Sequence, residues 1–149
     1  MSPIEWDQSF SVGHKIADGQ HREFLAILNT MERVFLNDSG IYNHYYQLSI
    51  LKRLLKYIEK HFSFENKLMQ VAGYQDAYNH WRSHKNFDIS IYTLYRKVLA
   101  GELILHSSIF KMVHDKFFNH ILKDDKPMFE RFFQKTRGTR IIEFFDIIT

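Results

Sequence analysis

The sequence predicts an all-α protein, an up-down-up-down four-helix bundle with an irregular N-terminal arm and a short C-terminal extension. Apolar residues recur at three- and four-residue spacing in four separate segments, which is the pattern of amphipathic helices. Glycine follows each of the first three segments, as it does at many helix ends. Long helices with short connections favour antiparallel neighbours. We therefore expect one domain over residues 1–149, with its bundle at about 20–125.

The first helix is expected from about Gln20 to Asn37. The residues before it, about 1–19, form the expected arm, and Asn37 to Gly40 has the composition of a helix stop and turn. The apolar side of this helix also carries a histidine: His21, Phe24, Leu25, Leu28, Met31 and Phe35.

The second helix is expected from about Ile41 to Val71 and the third from about Asp76 to Leu99. Gly73 and Gly101 follow as their stops. Polar residues interrupt both apolar stripes. The second stripe contains Leu51, Leu54, Leu55, Ile58, His61, Phe62, Glu65, Leu68 and Met69, and the third contains Ala77, His80, His84, Phe87, Ile91, Leu94 and Val98.

The fourth helix is expected from about Ser108 to Asp125, because Pro127 disfavours helical geometry at the residue before it. Its apolar stripe contains Phe110, Val113, Phe117, His120 and Ile121. Residues of about 126–149 then form the extension. Its apolar end, 141–148, is expected to dock on the bundle, on a partner protein or on a second copy of the chain.

Composition excludes several classes of function. A content of 45% apolar and 16% aromatic residues suits a globular core, and a net charge of +3 does not indicate nucleic-acid binding. The absence of cysteine excludes disulfides, thiolate zinc sites, iron–sulfur clusters and thiol nucleophiles. Neither a signal peptide nor a stretch long enough to span a membrane is visible, so the expected compartment is the cytoplasm.

Six polar residues lie where the apolar stripes should face the core, namely His21, His61, Glu65, His80, His84 and His120. One such histidine is usually a hydrogen-bonded core residue. Burying six such groups on four helices costs several kcal/mol in aggregate unless they share a partner, and a metal ion is the natural one.

Spacing supports this metal hypothesis. His61 and Glu65 are four residues apart, as are His80 and His84, so each pair projects from one face of its helix. Imidazole and carboxylate ligands suit iron, manganese or zinc, and the chemistry alone does not choose among them. We expect the remaining histidines to be exposed or locally hydrogen-bonded: His14, His44, His106 and His114.

Several ordered motifs resemble those of the hemerythrins, and most closely their bacterial single-domain members. The resemblance spans roughly Trp6 to Asp125. Its pieces are Ser11-Val12-Gly13, Asp18-Gly19-Gln20-His21, His61-Phe62 with Glu65 and Met69, Tyr74 leading to His80, His84 and Phe87, and His120-Ile121 with Asp125.

The resemblance implies a non-haem di-iron centre with a bridging oxo or hydroxo group. It assigns His80, His84 and His120 to one iron and His21 and His61 to the other. Glu65 and Asp125 become the bridging carboxylates. These ligands fill eleven of the twelve positions of two octahedral ions, so one position stays open for dioxygen beside His21 and His61.

Helical geometry raises one alternative within this assignment. Asp125 lies about 140° round an ideal α-helix from His120, whereas Asp124 is the closer neighbour. The family pattern favours Asp125, which requires the last turn of the helix to loosen, and Asp124 is the fallback ligand. The family also usually has a Trp where this chain has Lys116, which either faces the oxygen pocket or bends out to solvent. The expected lining of that pocket is Phe24, Phe62, Lys116, Phe117 and Ile121.

Reversible binding of dioxygen for storage, delivery or sensing is the leading functional hypothesis, with no catalytic residues. The alternative is a di-iron enzyme that acts on peroxide or nitric oxide, or a donor of iron for repair of iron–sulfur clusters. The repair proteins usually carry an N-terminal cysteine segment, which this chain lacks.

Overall fold

A computed structural model describes residues 3–35, 43–103 and 107–136, and it is helical over most of these ranges with no strand in any of them. A short 3₁₀ helix, Gln8–Phe10, lies in the arm. The longer elements are α1 (Lys15–Phe35), α2 (Asn43–Ala72), α3 (Ala77–Leu99), α4 (Ser107–His120), a π-helical segment (Ile121–Asp125) and α5 (Lys126–Thr136).

The first four helices form the predicted bundle. Helices α1 and α3 each pack against both α2 and α4, which closes a ring of four neighbours. Gly73 and Gly101 follow α2 and α3 with φ of +59° and +72°. This left-handed conformation often ends a helix, and glycine adopts it with little strain. The sequence-based prediction of an all-α four-helix bundle is confirmed.

The N-terminal arm is shorter than the sequence predicts, because α1 begins at Lys15. The His14 Nδ1 atom accepts a hydrogen bond from the Ala17 backbone N–H at 3.3 Å and so caps the first turn. Asp18 reaches back to the arm, where its carboxylate accepts from the Ser11 hydroxyl at 2.5 Å and from the Val12 backbone N–H at 2.8 Å. These local hydrogen bonds fix the arm against the helix start.

The prediction that the helical chain ends near Asp125 is wrong, because α5 continues from Lys126 to Thr136. Pro127 is the second residue of α5. The π-helical segment directly before it interrupts the i→i−4 hydrogen-bond pattern of a regular α-helix, so the N–H that proline lacks costs less there than inside such a helix. At the junction the Lys126 N–H donates to the Ile121 carbonyl, five residues back, which is the π-helical register.

Two apolar clusters flank a polar layer inside the molecule. The larger cluster includes Phe24, Ile58 and Ile121, and the smaller one includes Ala17, Leu68 and Met128. Along α1, α2 and the last helical segments, the polar residues singled out in the sequence fall between members of the two clusters. Helix α5 contributes three buried residues to the smaller cluster: Met128, Phe129 and Phe132.

No helix in the described ranges is both long enough and apolar enough to cross a membrane. The apolar end of the predicted extension, 141–148, lies outside the described residues, as does the turn predicted at 37–40.

Candidate metal centre

Seven side chains from all parts of the bundle meet in the polar layer, and each is at most 4% exposed. They are His21 on α1, His61 and Glu65 on α2, His80 and His84 on α3, His120 at the end of α4 and Asp125 in the π-helical segment. The amphipathic pattern places them there, because each occupies a core-facing position of its helix.

The seven residues form two overlapping groups. In each group, the potential ligand atoms all lie within 4.8 Å of one another. One group contains Glu65, His80, His84, His120 and Asp125, and the other contains His21, His61, Glu65 and Asp125. The histidines therefore divide into three and two, and both carboxylates belong to both groups.

Asp125 offers one oxygen to each group of histidines. Its Oδ1 atom lies 2.8 Å from His120 Nε2 and 3.0 Å from His80 Nε2. Its Oδ2 atom lies 3.1 Å from His21 Nε2. The carboxylate thus stands between the two groups.

Glu65 is arranged in the same way from the opposite helix. Its Oε1 atom lies 3.3 Å from His61 Nε2, and its Oε2 atom lies 3.0 Å from His84 Nε2 and 3.3 Å from His80 Nε2. Two carboxylates, each divided between the same two sets of imidazoles, have the disposition of bridging ligands for a pair of cations.

The π-helical segment decides which aspartate enters the cluster. In a regular α-helix Asp125 would point well away from His120, but the i→i+5 register brings residues five apart onto one side. Asp125 is fully buried in the cluster. Asp124 lies outside it, where its Oδ2 atom is 2.9 Å from His120 Nδ1 and accepts from the Ser83 hydroxyl at 2.6 Å.

Amide oxygens outside the cluster fix the tautomers of two histidines. The Gln20 Oε1 atom lies 2.6 Å from His61 Nδ1, and the Asn66 Oδ1 atom lies 3.1 Å from His84 Nδ1. Because an amide oxygen only accepts hydrogen bonds, each Nδ1 carries the proton and each Nε2 presents its lone pair to the cluster. Tyr57 secures Gln20 by donating to its backbone carbonyl at 2.6 Å.

Several buried ligand atoms lack a hydrogen-bond partner among the described residues: His61 Nε2, His80 Nε2, Glu65 Oε1 and Asp125 Oδ1. Leaving such atoms unpaired in a dry interior costs free energy that a shared cation would offset. Their nitrogen and oxygen chemistry suits a first-row transition metal such as iron. The residues therefore fit a metal site.

Electrostatics within the cluster shift the pKa values of His61 and His80 in opposite directions. Burial lowers the pKa of His61 to about 4, so this imidazole is neutral at physiological pH. Burial also opposes the charge of His80, but the adjacent carboxylates of Asp125 and Glu65 outweigh this effect and raise the pKa of His80 to about 9. Protons thus neutralise the carboxylates in the absence of metal, and metal binding must displace them.

The residues predicted to line the oxygen pocket occupy different sides of the cluster. Phe24 and Phe117 stack with centroids 3.5 Å apart, and Phe117 meets the His21 ring edge-on at 5.8 Å. Ile121 is fully buried in the same apolar cluster. Phe62 instead stacks on His84, with centroids 3.9 Å apart, and so packs on the three-histidine group. Lys116 is half-buried and lines an open groove between α3 and α4.

The other histidines lie away from the cluster. His14 is buried and locally hydrogen-bonded, with its ring against those of Phe64 and Phe129. His114 is half-buried and lies 3.1 Å from Asp115, and His44 is exposed. His106 lies outside the described residues.

Sequence reasoning missed the residues that orient the imidazoles: Gln20, Tyr57, Asn66 and Ser83. A signal was present for two of them, since Gln20 precedes His21 and Asn66 follows Glu65 in the chain. Nothing in the sequence pairs Ser83 with Asp124, which lies 41 residues away.

A four-helix bundle with five histidines and two shared carboxylates in its core defines the class of non-haem, histidine–carboxylate metal-binding proteins. A family model described as the hemerythrin HHE cation-binding domain matches residues 12–132. The chain therefore belongs to the hemerythrin family, whose known property is oxygen binding at a di-iron site. The resemblance drawn from the motifs is confirmed at the level of the family.

Individual relatives agree with this assignment. The chain is 27% identical to a bacteriohemerythrin of Stenotrophomonas maltophilia (strain R551-3) over 133 residues, covering 85% of this chain and 79% of the relative. It is 31% identical to a hemerythrin-like protein of Naegleria gruberi over 86 residues, covering 58% and 64% respectively. The crystal structure of a wild-type hemerythrin superposes with a TM-score of 0.80 at 26% identity, covering 88% of this chain and 98% of that one.

Proposed function

We propose that this chain binds dioxygen reversibly at a non-haem di-iron centre and serves to store, deliver or sense oxygen. The observation that carries the proposal is the sharing of Glu65 and Asp125 between a group of three histidines and a group of two. In each of these carboxylates, one oxygen faces the three-histidine group and the other faces the two-histidine group. A single ion would not require this arrangement.

In this proposal His80, His84 and His120 hold one iron, and His21 and His61 hold the other. Glu65 and Asp125 would be shared between the two irons together with a solvent-derived oxygen. The first iron would then take one more protein ligand than the second, so dioxygen would have access on the side of His21 and His61. Bound ferrous iron would supply both the electrons and the vacant position that dioxygen needs.

The chain's own residues make such a site suitable for reversible binding. Gln20 and Asn66 hold two imidazoles as neutral Nε2 ligands, which favour ferrous iron. Phe24 and Phe117 cover the His21 side of the cluster with stacked, buried rings and so exclude water from it. Exclusion of water and protons opposes the loss of reduced oxygen species to solvent.

Metal analysis followed by oxygen titration tests the proposal. We expect two irons per chain, near-ultraviolet bands of a bridged ferric pair in the air-exposed form, and uptake of one dioxygen per reduced pair that is recovered when the oxygen pressure falls. One zinc per chain without such bands would contradict the di-iron assignment. Catalytic turnover of peroxide or nitric oxide, without recoverable oxygen, would favour the enzymatic alternative.

A further inference from the structure

A polar groove of about 430 Å³ runs between α3 and α4, on the outer side of His120. Three cationic side chains and three amide side chains line it: Arg82, Lys116, Lys123, Asn79, Asn86 and Asn119.

The three cations of this groove are not neutralised by the protein. None of them has a carboxylate oxygen within 4.0 Å in the part of the chain that the structure describes, whereas Lys60 and Lys111 each pair with one. Asp124 is the one carboxylate that lines the groove, and its Oδ2 atom already accepts from Ser83 and faces His120. The groove therefore carries excess positive charge, which attracts anions.

The donors in the groove suit an oxyanion. A guanidinium group forms paired hydrogen bonds with two oxygens of one anion, and ammonium groups add charge without fixed geometry. The N–H₂ groups of Asn86 and Asn119 supply neutral donors, whereas Asn79 Nδ2 already donates to Asp76 Oδ1 at 2.6 Å. We infer that this α3–α4 groove binds a small oxyanion of the phosphate type. The inference goes beyond oxygen binding and does not depend on it.

The position of the groove allows a bound oxyanion to affect His120. The Ser83–Asp124 pair lines the same groove as the cations and contacts the His120 imidazole, with Ser83 Oγ 3.2 Å from His120 Nδ1. An anion held by Lys116 and Arg82 therefore neutralises charge directly beside the residues that orient one ligand of the metal centre.

Calorimetric titration of the purified protein, as isolated, with inorganic phosphate tests the inference. We expect saturable binding with a Kd below about 1 mM at an ionic strength of about 0.1 M. Lys116→Gln and Arg82→Gln should each weaken binding about tenfold, because each removes one charge-assisted hydrogen bond. Lys116→Arg should retain phosphate binding, because it keeps the positive charge.

Lys111→Gln is the matched control, since it removes one charge from the same helix at an exposed position paired with Asp115. Equal weakening by Lys111→Gln and Lys116→Gln would show a general charge effect and overturn the site. Absence of a saturable heat of binding would also overturn the site. A third contrary result would be phosphate binding that changes the iron absorption and is unaffected by Lys116→Gln and by Arg82→Gln. Phosphate binding and oxygen binding are measured separately, so one proposal can fail while the other holds.

Discussion

Asp124 and Asp125 are adjacent in the chain, yet they hold opposite nitrogens of the same imidazole. Asp125 Oδ1 lies 2.8 Å from His120 Nε2, and Asp124 Oδ2 lies 2.9 Å from His120 Nδ1. One aspartate therefore belongs to the ligand cluster, and its neighbour orients a ligand from outside. The π-helical segment makes this division possible, because it turns two consecutive side chains to the two edges of one ring.

Substitution should separate these two roles. On the proposed di-iron assignment, Asp125→Ala should bind clearly fewer than two irons, because it removes a proposed bridging carboxylate. Asp124→Ala should still load two irons but release them to a chelator roughly 10- to 100-fold faster than wild type, the usual effect of losing a group that orients a ligand. Iron per chain and the rate of chelation are the measurements. Normal loading of Asp125→Ala, with loss in Asp124→Ala, would reverse the assignment.

Glu65 should be more important for stability than any single histidine. Glu65→Ala leaves several buried imidazoles without their common partner, so we expect loss of both irons and a decrease in unfolding free energy of about 3 kcal/mol or more. His84→Ala removes one ligand from the three-histidine group and should cost less. Denaturation followed by circular dichroism measures both. Glu59→Ala, an exposed change on the same helix, is the control and should change little.

The metal-free protein should lose stability as the solution becomes alkaline. Despite burial, which opposes its charge, the adjacent carboxylates of Asp125 and Glu65 raise the pKa of His80 from 6.5 to about 9. Its contribution is fully present below pH 6.5 and is lost as pH rises through about 9, by up to about 3 kcal/mol. Urea denaturation at several pH values measures this. The decrease should be smaller in His80→Gln, and increasing stability over the same interval would contradict the explanation.

Lys116 should have little effect on how fast air oxidises the reduced protein. It lines the α3–α4 groove, whereas Phe117 contacts His21. We therefore expect Lys116→Trp to oxidise within about threefold of the wild-type rate, and Phe117→Ala, which opens the buried side of the cluster to water, to oxidise at least about tenfold faster. Stopped-flow absorption measures the rates. Rapid oxidation of the wild type that Lys116→Trp slows strongly would instead favour an enzyme.

The positions of most cluster residues could be predicted from the sequence because helical periodicity fixes which face each side chain occupies. His61 and Glu65, like His80 and His84, follow directly from four-residue spacing. Asp125 could not be placed in this way, since its position depends on a local change of hydrogen-bond register that periodicity does not encode. The resemblance to a family, rather than helical geometry, favoured it over Asp124.

The continuation of the chain into α5 was missed for a related reason. Proline ordinarily disfavours helix at the preceding residue, but Lys126 is helical here because the π-helical segment before Pro127 changes the hydrogen-bond register and the helix continues through it. Contacts between distant segments, such as Ser83 with Asp124, depend on how the helices pack and leave no periodic signal.

The packing of α5 also sets how short this protein can be made. Phe129 and Met128 lie against Leu68 and Ala17, on the side of the ligand layer opposite Phe24. A chain truncated after Asp125 would keep every residue of the buried polar cluster and lose the three residues that α5 contributes to one of its two apolar walls. The smallest autonomous unit therefore extends through α5, and a reporter or second domain fused at the C-terminal end should be joined beyond Thr136.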